Sequence, residues 1–428
     1  MKFKPSCLLL FVLIVLLISC KNEKKVNVHE LELHKRGRET LEYIKIVEQE
    51  KNQAIDDFIK SLPLEERIAQ LFVVNLSGCE TFIPVEENIA GGFLYFSYNI
   101  APTVQQMIEF NKSILEYCKN NNKIPPFLTV DQEGGYVNRL RNLNGPLPSQ
   151  ERVSKVLSQA KASDLYELQA KQMSELGFTM NLAPVTEICT QDNEKFLTER
   201  SFGNQEQVIS YGTVCINAYE SNGIGTVLKH FPGNTNTDPH TGLPEIEWNE
   251  QELNLQLNPF RELVKQNPSA VLMSHARVKG YDENNPACLS KYWVTDVLRN
   301  EFGFNGIIFS DDIFMGALAN NGYPPEKAVV MAIQAGIDCI MISEKRIGQS
   351  VQVLLEKVSD EPAFKQLINQ AVRHIFEYKI KCGFLRLNLN NGKYEVSVNY
   401  PIENNTQEKY IKFETVKEEN RIFYLENF

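Results

Sequence analysis

Eight short apolar runs, separated by longer segments of helical spacing, constrain this chain more than any other feature. They are 68–76 (IAQLFVVNL), 91–97 (GGFLYFS), 126–131 (PFLTVD), 178–185 (FTMNLAPV), 225–231 (GTVLKHF), 270–276 (AVLMSHA), 306–312 (GIIFSDD) and 338–343 (DCIMIS). Continuous rather than alternating apolar runs mark strands covered on both faces. Helical patterns fill most of the gaps. One opens on the capping-box pair Thr103 and Gln106, another on Asn249 and Glu252. Eight strands with intervening helices across 61–385 predict an α/β fold of the (β/α)8 TIM barrel type. An open doubly wound sheet is the rival, since alternation alone does not separate the two. The count of eight favours the barrel, and no GxGxxG or Walker-type glycine loop follows any run, which removes the commonest nucleotide sites.

Polar residues collect just past the C-terminal ends of these runs. The clusters are Asp131-Gln-Glu-Gly-Gly135, Lys229-His230, Asp238-Pro-His240, Ser274-His275 and Ser310-Asp311-Asp312. In a barrel all five face one mouth, where this fold builds its active sites. Singly, each has an ordinary explanation, because an Asp at a strand end often caps the next helix. Three of the six histidines of the chain fall in these clusters, a concentration that favours a site over chance.

Composition narrows the partners. The formal charge is −10 and no basic stripe with interleaved aromatics occurs, so a nucleic-acid partner is not expected. No CxxC or Cys/His cluster is present, and neither a metal nor an organic cofactor is predicted. Of the nine cysteines, Cys7 and Cys20 belong to the N-terminal segment, and most of the other seven read as small core residues. A monomer is the default expectation.

The N-terminus departs from the body. Lys2 and Lys4 precede an apolar stretch, CLLLFVLIVLLIS, of signal-peptide length. It closes on Leu17-Ile18-Ser19-Cys20, which resembles the lipobox of bacterial lipoproteins. That resemblance implies cleavage after residue 19, lipidation of Cys20 and a body held at a membrane outside the cytoplasm. Residues 20–60, rich in Lys and Glu, then read as a helical or partly disordered tether. Residues 386–428 read as a short C-terminal appendage able to add a few strands.

Six strings carry a wider resemblance: DQEGGYVNRL (131–140), NLAPV (181–185), RSFG (200–203), KHFPG (229–233), LSKYWVTDVLR (289–299) and GFNGIIFSDDIFM (303–315). In this order and spacing the chain resembles glycoside hydrolase family 3, in its bacterial β-N-acetylglucosaminidase branch, from about Leu62 to Gly383. The resemblance implies that Asp311 is the nucleophile and that His240, backed by Asp238, is the general acid/base. It implies that Asp131, Arg139, Arg200, Lys229 and His230 hold the non-reducing sugar. The chain departs from the family pattern at Asn234 (usually His), at Glu187 (usually Asp), at Tyr98 (usually basic) and in a loop before the dyad about two residues shorter.

The chemistry is coherent. A retaining glycosidase needs a carboxylate on one face of the anomeric carbon and a proton donor beside the leaving oxygen. Imidazole titrates near neutrality without burial. The expected activity is exo-hydrolysis of terminal β-linked GlcNAc from peptidoglycan fragments or related glycans. A phosphorylase using the same dyad and a non-catalytic glycan-binding lipoprotein remain open, as does Asp312 in place of Asp311.

Overall fold

The computed structural model describes residues 28–80, 82, 84, 89–403 and 405–428. The expected signal segment, the first part of the tether and Cys20 lie outside the described residues. All eight apolar runs form strands: β1 (Phe72–Asn75), β2 (Gly92–Tyr95), β3 (Phe127–Val130), β4 (Met180–Asn181), β5 (Gly225–Phe231), β6 (Ala270–Met273), β7 (Ile307–Phe309) and β8 (Ile340–Ser343). Each pairs in parallel with its sequence neighbours, β1 pairs with β8, and a Phe309–Cys339 bridge joins β7 to the start of β8. The sheet is thus a closed barrel. Phe127 of β3 and Phe309 of β7 meet edge to face across its interior, with centroids 6.0 Å apart. They pack the lumen as a solid floor rather than a pore.

Helices α1 (Val28–Ser61), α2 (Val104–Asn120), α3 (Gln159–Leu176), α4 (Gln205–Ser221), α5 (Glu250–Leu263), α6 (Tyr292–Glu301), α7 (Pro325–Ala335), α8 (Ile347–Asp360) and α9 (Phe364–Lys381) precede, separate or follow the strands. Among the described residues no helix joins β1 to β2. Both expected helix starts are present. Thr103 accepts the Gln106 backbone N–H (3.3 Å), and Asn249 and Glu252 cap each other reciprocally. Under the N-terminal end of the barrel, the fully buried Lys379 of α9 donates to Gln70 Oε1 (2.6 Å) and Pro125 O (2.7 Å). Burial without a carboxylate partner pushes its pKa down to about 7.

The described parts of the segments before and after the barrel pack onto it. The last turns of α1 are packed: Ile55 and Ile59 are buried, and Phe58 meets Phe376 of α9 at 5.7 Å. After the barrel, β9 (Leu385–Asn390) and β10 (Lys393–Val398) form an antiparallel hairpin. The stretch that follows is one helix, α10 (Thr406–Asn427), although KYIKFETV alternates like a strand. Phe413 and Asn420 are its buried residues, and Asn420 Nδ2 donates to Asn144 O (3.4 Å). Packing against the barrel helices overrides the local pattern. The seven described cysteines are free thiols; Cys118, Cys215, Cys288 and Cys339 are buried.

Candidate active site

At the C-terminal ends of the strands lies a cavity of about 470 Å³. Its floor is apolar (Val73, Leu94, Leu182, Leu272, Met341), and one arc of its wall is charged. Asp131, at the end of β3, opens a tight hairpin. Gly134 and Gly135 there have φ of +101° and +56°, and a Cβ on either would overlap Pro148 O or Glu199 Oε1 at 2.1 Å. Only glycine fits that turn. Glu133, two residues on in the extended arm that leads into this turn, falls on the same side as Asp131, and both reach Lys229.

On the opposite side of this arc, β5 carries a bulge. Lys229 pairs with Leu272 and Phe231 with Met273, leaving His230 as the extra residue. Consecutive residues on a regular strand face opposite ways, and the bulge lets Lys229 and His230 both line the cavity. Lys229 Nζ reaches Asp131 Oδ1 (2.7 Å) and Glu133 Oε1 (2.6 Å). Arg200 grips Glu133 with two hydrogen bonds of 2.8 and 3.0 Å. The side chains of Glu133 and Lys229 are only 1% and 4% exposed. Burial alone would raise the Glu133 pKa; the charges and hydrogen bonds of Arg200 and Lys229 outweigh it and hold the carboxyl far below the usual range. The Glu133 charge likewise raises Arg200 against its own burial. His230 Nδ1 sits 2.7 Å from Glu187 Oε1, which also accepts the His230 backbone N–H and the Asn234 amide. Arg139 lines the cavity; among the described residues it has no ion-pair partner, and its buried Nε has no acceptor.

Asp311 and Asp312 follow β7 and line the cavity opposite this arc. Asp312 accepts the Phe314 N–H (2.9 Å), and burial pushes its pKa up to about 6. Beneath them His275 is fully buried. Its Nε2 donates to Asp312 O (3.0 Å) and its Nδ1 faces the Cys288 thiol (3.2 Å). Burial lowers the His275 pKa, so this ring is a neutral prop under the Asp311–Asp312 turn.

The Asp238–His240 loop forms the rim. Asp238 Oδ1 accepts both the His240 backbone N–H (2.9 Å) and its Nδ1–H (2.7 Å). These bonds, the backbone one first, hold the Asp238 pKa below its ordinary value. A neutral or protonated His240 therefore presents Nε2 away from Asp238, and the ring lines the cavity. The loop is tied at both ends: Asn236 bonds Lys195 N and Gln191 O (2.8 Å each), and Pro239 O accepts the Ala317 N–H (3.0 Å). The shortened loop thus still delivers His240 to the cavity that holds Asp311.

This order of elements matches a family. The model for the N-terminal domain of glycosyl hydrolase family 3 matches residues 63–378, nearly the whole barrel. The chain belongs to glycosyl hydrolase family 3. It is 32% identical over 304 residues to a beta-hexosaminidase of Tolumonas auensis, covering 68% of this chain and 87% of that one. It is 26% identical over 320 residues to beta-hexosaminidase A of Pseudoalteromonas piscicida, spanning 53% of that protein's length. A solved family 3 beta-N-acetylglucosaminidase from Paenibacillus sp. superposes with a TM-score of 0.71 at 26% identity, covering 84% of this chain and 69% of that one.

Within this family 3 barrel, seven of the eight residues expected at the site line the cavity: Asp311, His240, Asp131, Arg139, Arg200, Lys229 and His230. Asp238 stands behind His240 as its carboxylate partner. The Ser274-His275 cluster lies under the cavity instead of at its mouth. Glu133 and Glu187 were not among the expected site residues, although the site is organised around them. Spacing gave one signal for Glu133, which follows Asp131 by two residues. Glu187 stood out only as a departure from the family pattern, because its partner His230 is 43 residues away. Among the described residues no cluster of three or more potential metal ligands occurs.

Proposed function

We propose that this family 3 glycoside hydrolase is a retaining exo-β-N-acetylglucosaminidase that removes terminal β-linked GlcNAc through a covalent glycosyl-Asp311 intermediate. The observation that carries the reading is one blind cavity lined by a carboxylate, Asp311, and by an imidazole, His240, held by Asp238. The curated relatives named above as beta-hexosaminidases support the choice of sugar.

The residues that line the cavity support the following steps in this reading. A terminal sugar enters with its hydroxyls against the charged arc. Asp131 accepts from them through the oxygen that Lys229 leaves free, and Arg139 brings its guanidinium donors to the same wall. Asp311 forms a bond to C1 as the glycosidic bond breaks. Imidazolium His240 gives its Nε2 proton to the departing oxygen, while Asp238 stabilises the cation. Neutral His240 then takes a proton from water, whose oxygen attacks C1 and releases Asp311.

Membrane attachment through lipid on Cys20 and a peptidoglycan-derived substrate belong to the same reading. The apolar stretch ending at Leu17-Ile18-Ser19-Cys20 supports the anchor. Partition of wild type into the detergent phase, and of Cys20→Ala into the aqueous phase, would establish it.

The primary experiment is hydrolysis of an aryl N-acetyl-β-D-glucosaminide, with and without phosphate. Asp311→Ala should abolish release, and His240→Ala should slow it by about 10²- to 10⁴-fold. A requirement for phosphate would make the enzyme a phosphorylase. Binding of sugar without turnover by wild type would refute hydrolysis.

A further inference from the structure

Because Phe127 and Phe309 close the lumen, the cavity is blind, and the part of a substrate beyond the cleaved bond must leave past the rim. On the β2 side that rim is aromatic. Tyr98 is 58% exposed, yet it is held in place. Its hydroxyl accepts from Asn75 Nδ2 (2.7 Å), and its ring stacks on Phe96 at 5.8 Å and 15°. Asn75 and Phe96 both line the cavity, so Tyr98 stands at its edge. The turn beneath is pinned by buried Asn99, which accepts the Phe96 N–H (3.0 Å) and donates to Leu76 O (2.8 Å). On the next loop, Tyr136 is also exposed, with its backbone N–H held by Glu199 (3.1 Å).

An exposed tyrosine tied at its hydroxyl and one face has little rotamer freedom left to lose on binding. Its outer face offers an apolar surface to the C–H face of a sugar ring. Its hydroxyl, which accepts from Asn75, has a proton of its own to donate. The charged arc offers the hydroxyl partners of the terminal sugar, whereas exposed Tyr98 does not line the cavity itself but rests on Asn75 and Phe96, which do. We propose that Tyr98 is the platform for the sugar ring on the leaving-group side. It would make the enzyme selective for a glycosyl over a small alkyl leaving group. This inference rests on the hexosaminidase reading and names the leaving-group class for the same site.

The test compares kcat/KM of the full chain on the β-1,4-linked GlcNAc disaccharide and on methyl N-acetyl-β-D-glucosaminide, for wild type, Tyr98→Ala and Tyr98→Phe. Loss of a stacking contact predicts that Tyr98→Ala lowers the disaccharide-to-methyl ratio about five- to tenfold. Tyr98→Phe, which keeps the ring, should hold the ratio within about threefold of wild type, roughly the loss of one neutral hydrogen bond. Equal losses on both substrates, an unchanged ratio in Tyr98→Ala, or a loss fully reproduced by Tyr98→Phe would each overturn the platform. Wild-type turnover of neither substrate would remove the hexosaminidase reading and the platform with it, a result distinct from the other three.

Discussion

The two halves of the candidate site are built in opposite ways. The charged arc is largely buried and its ions are paired, Glu133 with Arg200 and Lys229 and Asp131 with Lys229, while Glu187 is hydrogen-bonded to His230. The Asp238–His240 pair sits on a loop, with side chains 59% and 68% exposed. A buried charge network is costly to break because a lost partner leaves an uncompensated ion behind. An exposed pair contributes little to folding, since water screens it. The arc therefore couples sugar recognition to stability, whereas the dyad can change without unfolding the protein. Substrate over the rim is what would desolvate the dyad and strengthen its hydrogen bond.

The largest expected effect is on the arc. Glu133→Gln keeps the shape but removes the carboxylate that, among the described residues, reaches both Arg200 and Lys229. It should destabilise the fold by about 3–5 kcal/mol and impair sugar binding, read by urea denaturation and by KM. An unchanged unfolding midpoint would break the contrast drawn here.

Next comes the dyad. Asp238→Asn should reduce kcat on the order of 10²-fold, through loss of the imidazolium's stabilising charge and of its fixed orientation. The thermal midpoint should stay close to wild type. A fall in stability as large as that of Glu133→Gln would show that the loop is as structural as the arc.

The smallest effect tests the carboxyl between the two. In the unfolded chain Asp312 ionises near its ordinary value, but in the folded protein only near about 6. Between these values the folded state holds the extra proton, so stability contributed by this group falls as pH rises through the window. Asp312→Asn, which can still accept the Phe314 N–H, should therefore raise the thermal midpoint at pH 8 relative to wild type and leave it little changed at pH 4. Parallel pH curves for the two proteins would show that Asp312 is not held against burial.

The sequence alone specified the eight strands, because apolar runs with no polar alternation have only a doubly covered place to go. It also determined which polar clusters sit at the strand ends, and the helix starts at Thr103 and Asn249, whose capping bonds reach only three residues. The Asp238–His240 pairing was equally local. Tertiary structure decided the rest. Glu133 meets Arg200 across 67 residues and Glu187 meets His230 across 43, contacts that exist only once the barrel is closed. The bulge at His230 depends on its register with β6, and His275 became a prop because its ring is trapped between Cys288 and Asp312. The C-terminal segment alternates like a strand yet forms α10, since burying Phe413 against the barrel helices outweighs a local pattern spread over a few residues. Local hydrogen bonding and periodicity are short-range and can be read along the chain; which charges share a buried site is set by closure of the sheet.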